Sequence, residues 1–130
     1  MQLTKQTDFA FRVLLYLGRA PEDSMSNIRD ICDYYGISQN HVAKVVVKLT
    51  RLGYISSLRG HGGGIRLLAK PEEINVGQVI RDFETSLQPV NCESPKCVLL
   101  PDCKLKSVLF SAMNDFLEST SRYTLADLLA

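Results

Sequence analysis

Residues 59–64 read Arg-Gly-His-Gly-Gly-Gly, flanked by two short runs of strand formers, Tyr54 to Leu58 and Ile65 to Leu68. Glycine at this density cannot continue a helix. It permits positive φ and a tight loop, so the flanking runs are expected to pair as a β-hairpin. A phosphate-cradling loop is the rival use of such glycines. It fails because Gly64 leads into a strand and not into a helix N-terminus.

What precedes the hairpin has helical periodicity, cut by further stop signals. Thr4 to Gly18 places Phe9, Val13, Leu14 and Leu17 on one face, and Gly18 with Pro21 ends the run. Asn27 to Tyr35 forms a second, short helix with Ser26 as its expected cap, Ile28 and Ile31 inward, and Gly36 at the turn. Ser38 is the expected N-cap of a third helix running to about Leu52, with Val42, Val45, Val46 and Leu49 as its apolar stripe and Gly53 as its stop. Two helices joined by a glycine turn and followed by a hairpin make a winged helix-turn-helix. Asn75 is placed to cap a fourth helix, Val76 to Phe83.

The cleanest periodicity lies further on. Leu105, Val108, Leu109, Ala112, Met113, Phe116 and Leu117 form one wide stripe along Lys104 to Ser119. A lone helix of that length is marginal in water, so the stripe needs a covering surface. A matching helix from a second subunit is the economical one. Thr124 then starts a last short turn, Leu125 to Leu129. The expected fold is mainly α with a small β wing, in three parts: residues 1–84 a winged helix-turn-helix, 85–103 a cysteine loop, and 104–130 a dimerisation helix with a short C-terminal helix.

Composition narrows the classes. Hydrophobic residues make up 45% of the chain and charged residues 22%, enough for a core and against disorder. The longest apolar run is far too short to cross a bilayer. Met1 to Asp8 lacks the basic start and apolar stretch of an export signal, so a cytoplasmic protein is expected. The net charge of +1 hides an asymmetry. Residues 26–70 carry seven basic side chains (Arg29, Lys44, Lys48, Arg51, Arg59, Arg66, Lys70) against Asp30 and Asp33, whereas residues 71–130 carry five against nine acids. A basic middle beside an acidic tail suits one anion-binding surface.

The second helix of a helix-turn-helix enters the major groove by its start. Here that start carries Ser38, Gln39, Asn40, His41 and Lys44. Gln and Asn can pair in two-point fashion with adenine, and His and Lys can reach guanine or phosphate. Lys48 and Arg51 are expected to position through phosphates. The glycines of the wing, Gly60 among them, would let Arg59 and His61 approach the backbone or minor groove closely. A bland alternative makes Lys44, Lys48 and Arg51 simply the wet face of a helix. Cap, polar start, basic continuation and wing together argue against it.

Cys92, Cys97 and Cys103 are spaced Cys-x4-Cys-x5-Cys, with Pro95 and Pro101 breaking regular structure between them. With no export signal, metal or redox chemistry outranks a disulfide framework. Thiolates select zinc, copper(I) or an iron–sulfur cluster. The paired short spacings of structural zinc are absent, and longer gaps suit the wider cage of a cluster. A fourth ligand must come from elsewhere in the protein or be exogenous, with Glu93 and Asp102 the nearby candidates. Cys32, between Ile31 and Asp33, is expected to be a small buried apolar residue.

Several stretches resemble the IscR/NsrR family of iron–sulfur winged-helix bacterial transcription regulators, over essentially the whole chain. They are Met1-Gln2-Leu3-Thr4 with Thr7-Asp8, the wing from Arg59 to Leu67, Pro89-Val90-Asn91-Cys92, the later cysteines, and Tyr123 to Leu128. The assembly-regulating members carry His three residues after the third cysteine, where this chain has Lys106. It is more similar to the nitric-oxide-sensing NsrR repressors. The resemblance implies a homodimer crossed along the Lys104–Ser119 helix and bound to a palindromic double-stranded DNA operator. It implies an iron–sulfur cluster, 4Fe–4S ahead of 2Fe–2S, held by Cys92, Cys97, Cys103 and Asp8 of the partner subunit, with nitric oxide as signal. A favourable charge in the first turn of a helix is the other reading of Asp8. A clusterless, zinc or thiol-switch regulator of the same fold is the alternative function. An iron–sulfur redox enzyme has neither nucleotide fingerprint nor catalytic dyad to support it, so no enzyme is expected.

Overall fold

The computed structural model describes all 130 residues. Six α-helices and one hairpin follow in the order α1 (Lys5–Arg19), α2 (Ile28–Tyr35), α3 (Gln39–Arg51), β1 (Ile55–Leu58), β2 (Gly64–Leu67), α4 (Val76–Phe83), α5 (Lys104–Thr120) and α6 (Leu125–Leu129), with a 3-10 turn at Pro71–Glu73. The fold is mainly helical with a two-stranded antiparallel wing, as expected. Ile55 pairs with Leu67, and Leu58 with Gly64.

Each apolar stripe read from the sequence buries the face it defines. Ala10, Val13 and Leu14 of α1, Ile31 of α2, and Val42, Val45 and Leu49 of α3 meet Ile55, Ile65, Val79 and Phe83 in one core. Each fully buried aliphatic side chain there contributes roughly 1.5–3 kcal/mol. Cys32 belongs to that core at 3% exposure. Burial and then the Asp33 carboxylate push its thiol pKa up, so it stays a neutral packing residue. Leu125 of α6 joins the same core, and Leu129 lies against Gly18. The C-terminal turn therefore folds back onto the winged head.

Local chemistry sets the helix ends, with two corrections. Asn27, not Ser26, caps α2: its side chain accepts from the Asp30 N–H at 2.8 Å. Ser26 is committed elsewhere, because its backbone exchanges hydrogen bonds with Ile65 at 2.9 and 2.7 Å and adds a bridge to β2. That approach requires Gly64, where a Cβ would stand 2.5 Å from the Ser26 carbonyl oxygen. Ser38 occupies the N-cap position of α3, yet its hydroxyl makes no capping bond and remains exposed. Gly36 ends α2 in the left-handed conformation, φ 66°, which lets the Ile37 N–H reach the Cys32 carbonyl.

α5 stands apart. Leu117 is its one buried residue, while Leu105 and Val108 are each 63% exposed. Its tie to the head is at the C-terminal end, where the Asn75 side chain donates to the Ser121 carbonyl at 2.7 Å and Arg81 donates to the Ser121 hydroxyl at 3.0 Å. No helix is long and apolar enough to cross a membrane.

Candidate nucleic-acid interface and cysteine loop

α3 is anchored by its apolar stripe, so its opposite face is fixed outward. Ser38, Gln39, Asn40, His41 and Lys44 are all exposed there, on consecutive turns beginning at the Gly36 turn. Arg51 is exposed at the far end. Arg59, Gly60 and His61 are exposed at the tip of the wing. Helix start and wing tip are thus both open to solvent. Lys48 differs from its neighbours. It is half-buried, with its ammonium 4.8 Å from the centre of the Phe83 ring. That contact gives Lys48 a structural role besides any phosphate contact.

α1 supports this face from behind. The Phe9 ring lies 6.1 Å from the His41 ring and 5.9 Å from the Arg12 guanidinium. Arg12 in turn forms a two-point pair with Asp8, at 2.9 and 3.1 Å. The hydrogen bond from Arg12 to Asp8 raises the Arg12 pKa further, outweighing a smaller opposing effect of burial. Asp8 sits in the first turn of α1, where a negative charge is favoured. One continuous series of contacts therefore runs from Asp8 through Arg12 and Phe9 to His41 of α3.

The cysteine loop spans the interval from α4 to α5. Cys92, Cys97 and Cys103 are all free thiols of intermediate burial. The Cys97 N–H donates to the Cys92 carbonyl at 2.9 Å, closing a turn around Ser94 and Pro95, and Cys103 occupies the N-cap position of α5. The loop does not draw the thiols into a ligand set: no three His, Cys, Asp or Glu side chains stand together as a metal would require. The donors still suit a soft metal centre in kind. Three unpaired sulfurs lie on one irregular loop, and Glu93 and Asp102 beside them are exposed.

A group not singled out in the sequence ties this loop to α1. One Glu84 carboxylate oxygen accepts from the Thr4 N–H at 3.0 Å, the Thr4 hydroxyl at 2.8 Å, and the Thr7 hydroxyl. Burial alone would raise the Glu84 pKa, but these hydrogen bonds outweigh it and hold the carboxyl below its usual value. Glu84 thereby serves as the anionic cap that Thr4 does not supply to its own helix. The signal available in the sequence was Thr7, a polar residue on the buried face shared by Ala10 and Leu14. Its partner lies 77 residues away, beyond any local pattern.

Residues 3–130 match the profile of the Rrf2 family, described as iron-dependent transcriptional regulators. The chain belongs to the Rrf2 family. It is 45% identical over 132 aligned positions to the HTH-type transcriptional regulator NsrR of Halalkalibacterium halodurans, covering 99% of this chain and 90% of that protein. The NsrR of Geobacillus kaustophilus is 46% identical with the same coverage. Among solved structures, the fold matches T. potens IscR with a TM-score of 0.81 at 22% identity, covering 99% of this chain and 86% of that one. It matches the global cysteine regulator CymR of B. subtilis with a TM-score of 0.79 at 22% identity, covering 99% and 96%. This Rrf2 chain is a transcriptional regulator and not an enzyme.

Proposed function

We propose that this Rrf2 protein is a homodimeric repressor in which ligation of the cysteine loop controls binding to a palindromic operator. Nitric oxide is the signal, acting through an iron–sulfur cluster, 4Fe–4S in preference to 2Fe–2S. The observation that carries this reading is the placement of three free thiols on the one segment joining the winged head to α5. The NsrR names of the relatives support it. So does the exposed apolar face of α5, which a second copy of the same helix would cover.

Cys92, Cys97 and Cys103 would hold the cluster, with Asp8 of the second subunit completing the set. Bound there, the cluster supplies the iron with which nitric oxide reacts. The protein's part is mechanical. Cys103 is fixed to the first turn of α5, and Glu84 fixes the other end of the loop to α1. Drawing the thiols together shortens the path between α4 and α5 and sets the angle of the head against the dimer helix. Asp8 spends both carboxylate oxygens on Arg12, so giving one of them to a metal would loosen that two-point pair beside Phe9. The two states must differ in affinity for DNA, or nothing is switched.

Residues 1–84 then act as the reading head, 85–103 as the sensor loop, and 104–130 as the dimer element with α6 docked on the head. Ser38, Gln39, Asn40, His41 and Lys44 read or flank the major groove, Lys48 contacts phosphate, and Arg59, Gly60 and His61 follow the backbone or minor groove. Anaerobic purification tests the proposal. A brown protein whose absorbance and operator affinity both fall on adding nitric oxide is expected; a colourless protein after anaerobic reconstitution refutes it. The second reading, a thiol or zinc switch, draws on all four cysteines being unpaired. Diamide-sensitive DNA binding without iron would favour it.

A further inference from the structure

A cleft of about 290 Å³ opens between the first turn of α1 and the start of α3, lined by Lys5, Gln6, Phe9, His41, Lys44 and Val45. Phe9 and Val45 form a buried apolar floor, and the four polar residues stand exposed around it. No carboxylate lines the cleft. Two acids at this end of α1 are engaged elsewhere, Asp8 by Arg12 and Glu84 by Thr4 and Thr7. Neither Lys5 nor Lys44 has an ion-pair partner. Two ammonium groups, an amide and an imidazole therefore face a common space without a counter-charge.

Such a set matches a single negative charge with several acceptor oxygens, which is the chemistry of a phosphodiester. We infer that the cleft clamps a DNA phosphate on the strand flanking the groove that α3 reads, with Lys5 and Lys44 supplying charge and Gln6 a hydrogen bond. This rests on the DNA-binding reading of α3 given above, and it adds α1 to the interface. Because His41 and Lys44 lie on the reading face, insertion of the α3 start carries Lys5 and Gln6 to the adjacent backbone. The contact is blind to sequence and fixes the depth and register of the helix.

The test is the salt dependence of duplex binding by the full-length protein. The probes are a duplex recovered by repeated selection from a random pool and its scrambled counterpart. Losing one phosphate contact lowers the slope of log affinity against log salt by about 0.9, so over a fourfold rise in salt the advantage of wild type over Lys5→Gln shrinks about threefold. The expected result is a flatter slope on both probes, an unchanged ratio between them, and restoration by Lys5→Arg. Arg122→Gln, beyond the end of α5, should leave the slope alone. An unaltered slope in Lys5→Gln overturns the clamp, and it is also the outcome if the cleft takes free phosphate rather than DNA. A changed ratio between the probes would equally overturn it, since Lys5 would then be reading bases. If wild type prefers no selected duplex at all, the DNA-binding reading itself falls, and the clamp with it.

Discussion

Gly77→Ala should loosen the joint between the winged head and α5, and its size follows from the packing there. Gly77 is buried in the first turn of α4. An added Cβ would stand 2.0 Å from the Ser121 hydroxyl oxygen and 2.9 Å from the Ser121 Cα. The hydroxyl cannot simply swing away, because it donates to the Leu117 carbonyl at 2.7 Å and accepts from Arg81 at 3.0 Å. Crowding against the Ser121 main chain obliges the backbone to move as well, which strains the 2.7 Å bond from Asn75 to the Ser121 carbonyl. Overpacking of this kind costs about 1–3 kcal/mol, and each weakened hydrogen bond about 1 kcal/mol. Alanine's better helix propensity returns at most about 1 kcal/mol. A net loss of about 1–3 kcal/mol is expected, read as a lower urea midpoint or a Tm drop of roughly 4 °C per kcal/mol. Ser121→Gly in the same chain should recover part of the loss, because the two positions are coupled. A Gly77→Ala protein as stable as wild type, or more so, would refute the reasoning and leave helix propensity as the deciding effect.

Glu84→Gln should cost about 1 kcal/mol at neutral pH by weakening the bonds to Thr4 and Thr7 at a half-buried site. Because the folded-state pKa of Glu84 lies below its unfolded value, its contribution is present above the ordinary carboxylate range and fades as pH falls through the folded pKa. Denaturation curves of the two proteins should therefore differ at pH 7 and converge in acid; a gap that persists unchanged in acid contradicts this. Lys48→Gln should weaken binding to every duplex and flatten its salt dependence. It should also lose about 0.5–1 kcal/mol of stability from the Phe83 contact, with an unchanged salt slope removing Lys48 from the phosphate set. Cys97→Ala should abolish retention of iron after anaerobic reconstitution while melting like iron-free wild type, and normal iron content in that variant would break the ligand assignment.

Much of the head was legible because its signals are local. The stripes of α1 and α3, the cap at Asn75 and the glycine wing each specify a structure from residues within a few positions of one another. α4 runs from Val76 to Phe83 as expected, and the capping pair of Thr124 with Asp127 starts α6 where Thr124 suggested. What escaped depends on tertiary neighbours. Ser26 looks like a cap until Ile65 claims its backbone. Lys48 looks like a solvent-facing charge until α4 places Phe83 beneath it. The Glu84 latch, the Phe9 support for His41 and the Lys5 cleft all join residues that no periodicity connects. The cysteine spacing suggested a shared role, but the three thiols lie on an irregular loop with no ladder of hydrogen bonds to position them, and the structure does not bring them together as a ligand set.

The most direct measurement compares operator affinity of anaerobically iron-loaded protein with the same preparation after chelation, at one fixed salt concentration. Coupling of the usual size for a two-state regulator, about 1–3 kcal/mol, corresponds to roughly a 5- to 150-fold difference. Tighter binding by the loaded form, lost again on exposure to nitric oxide, is the predicted result. Equal affinity of loaded and stripped protein for the same operator would contradict control of DNA binding by the cysteine loop.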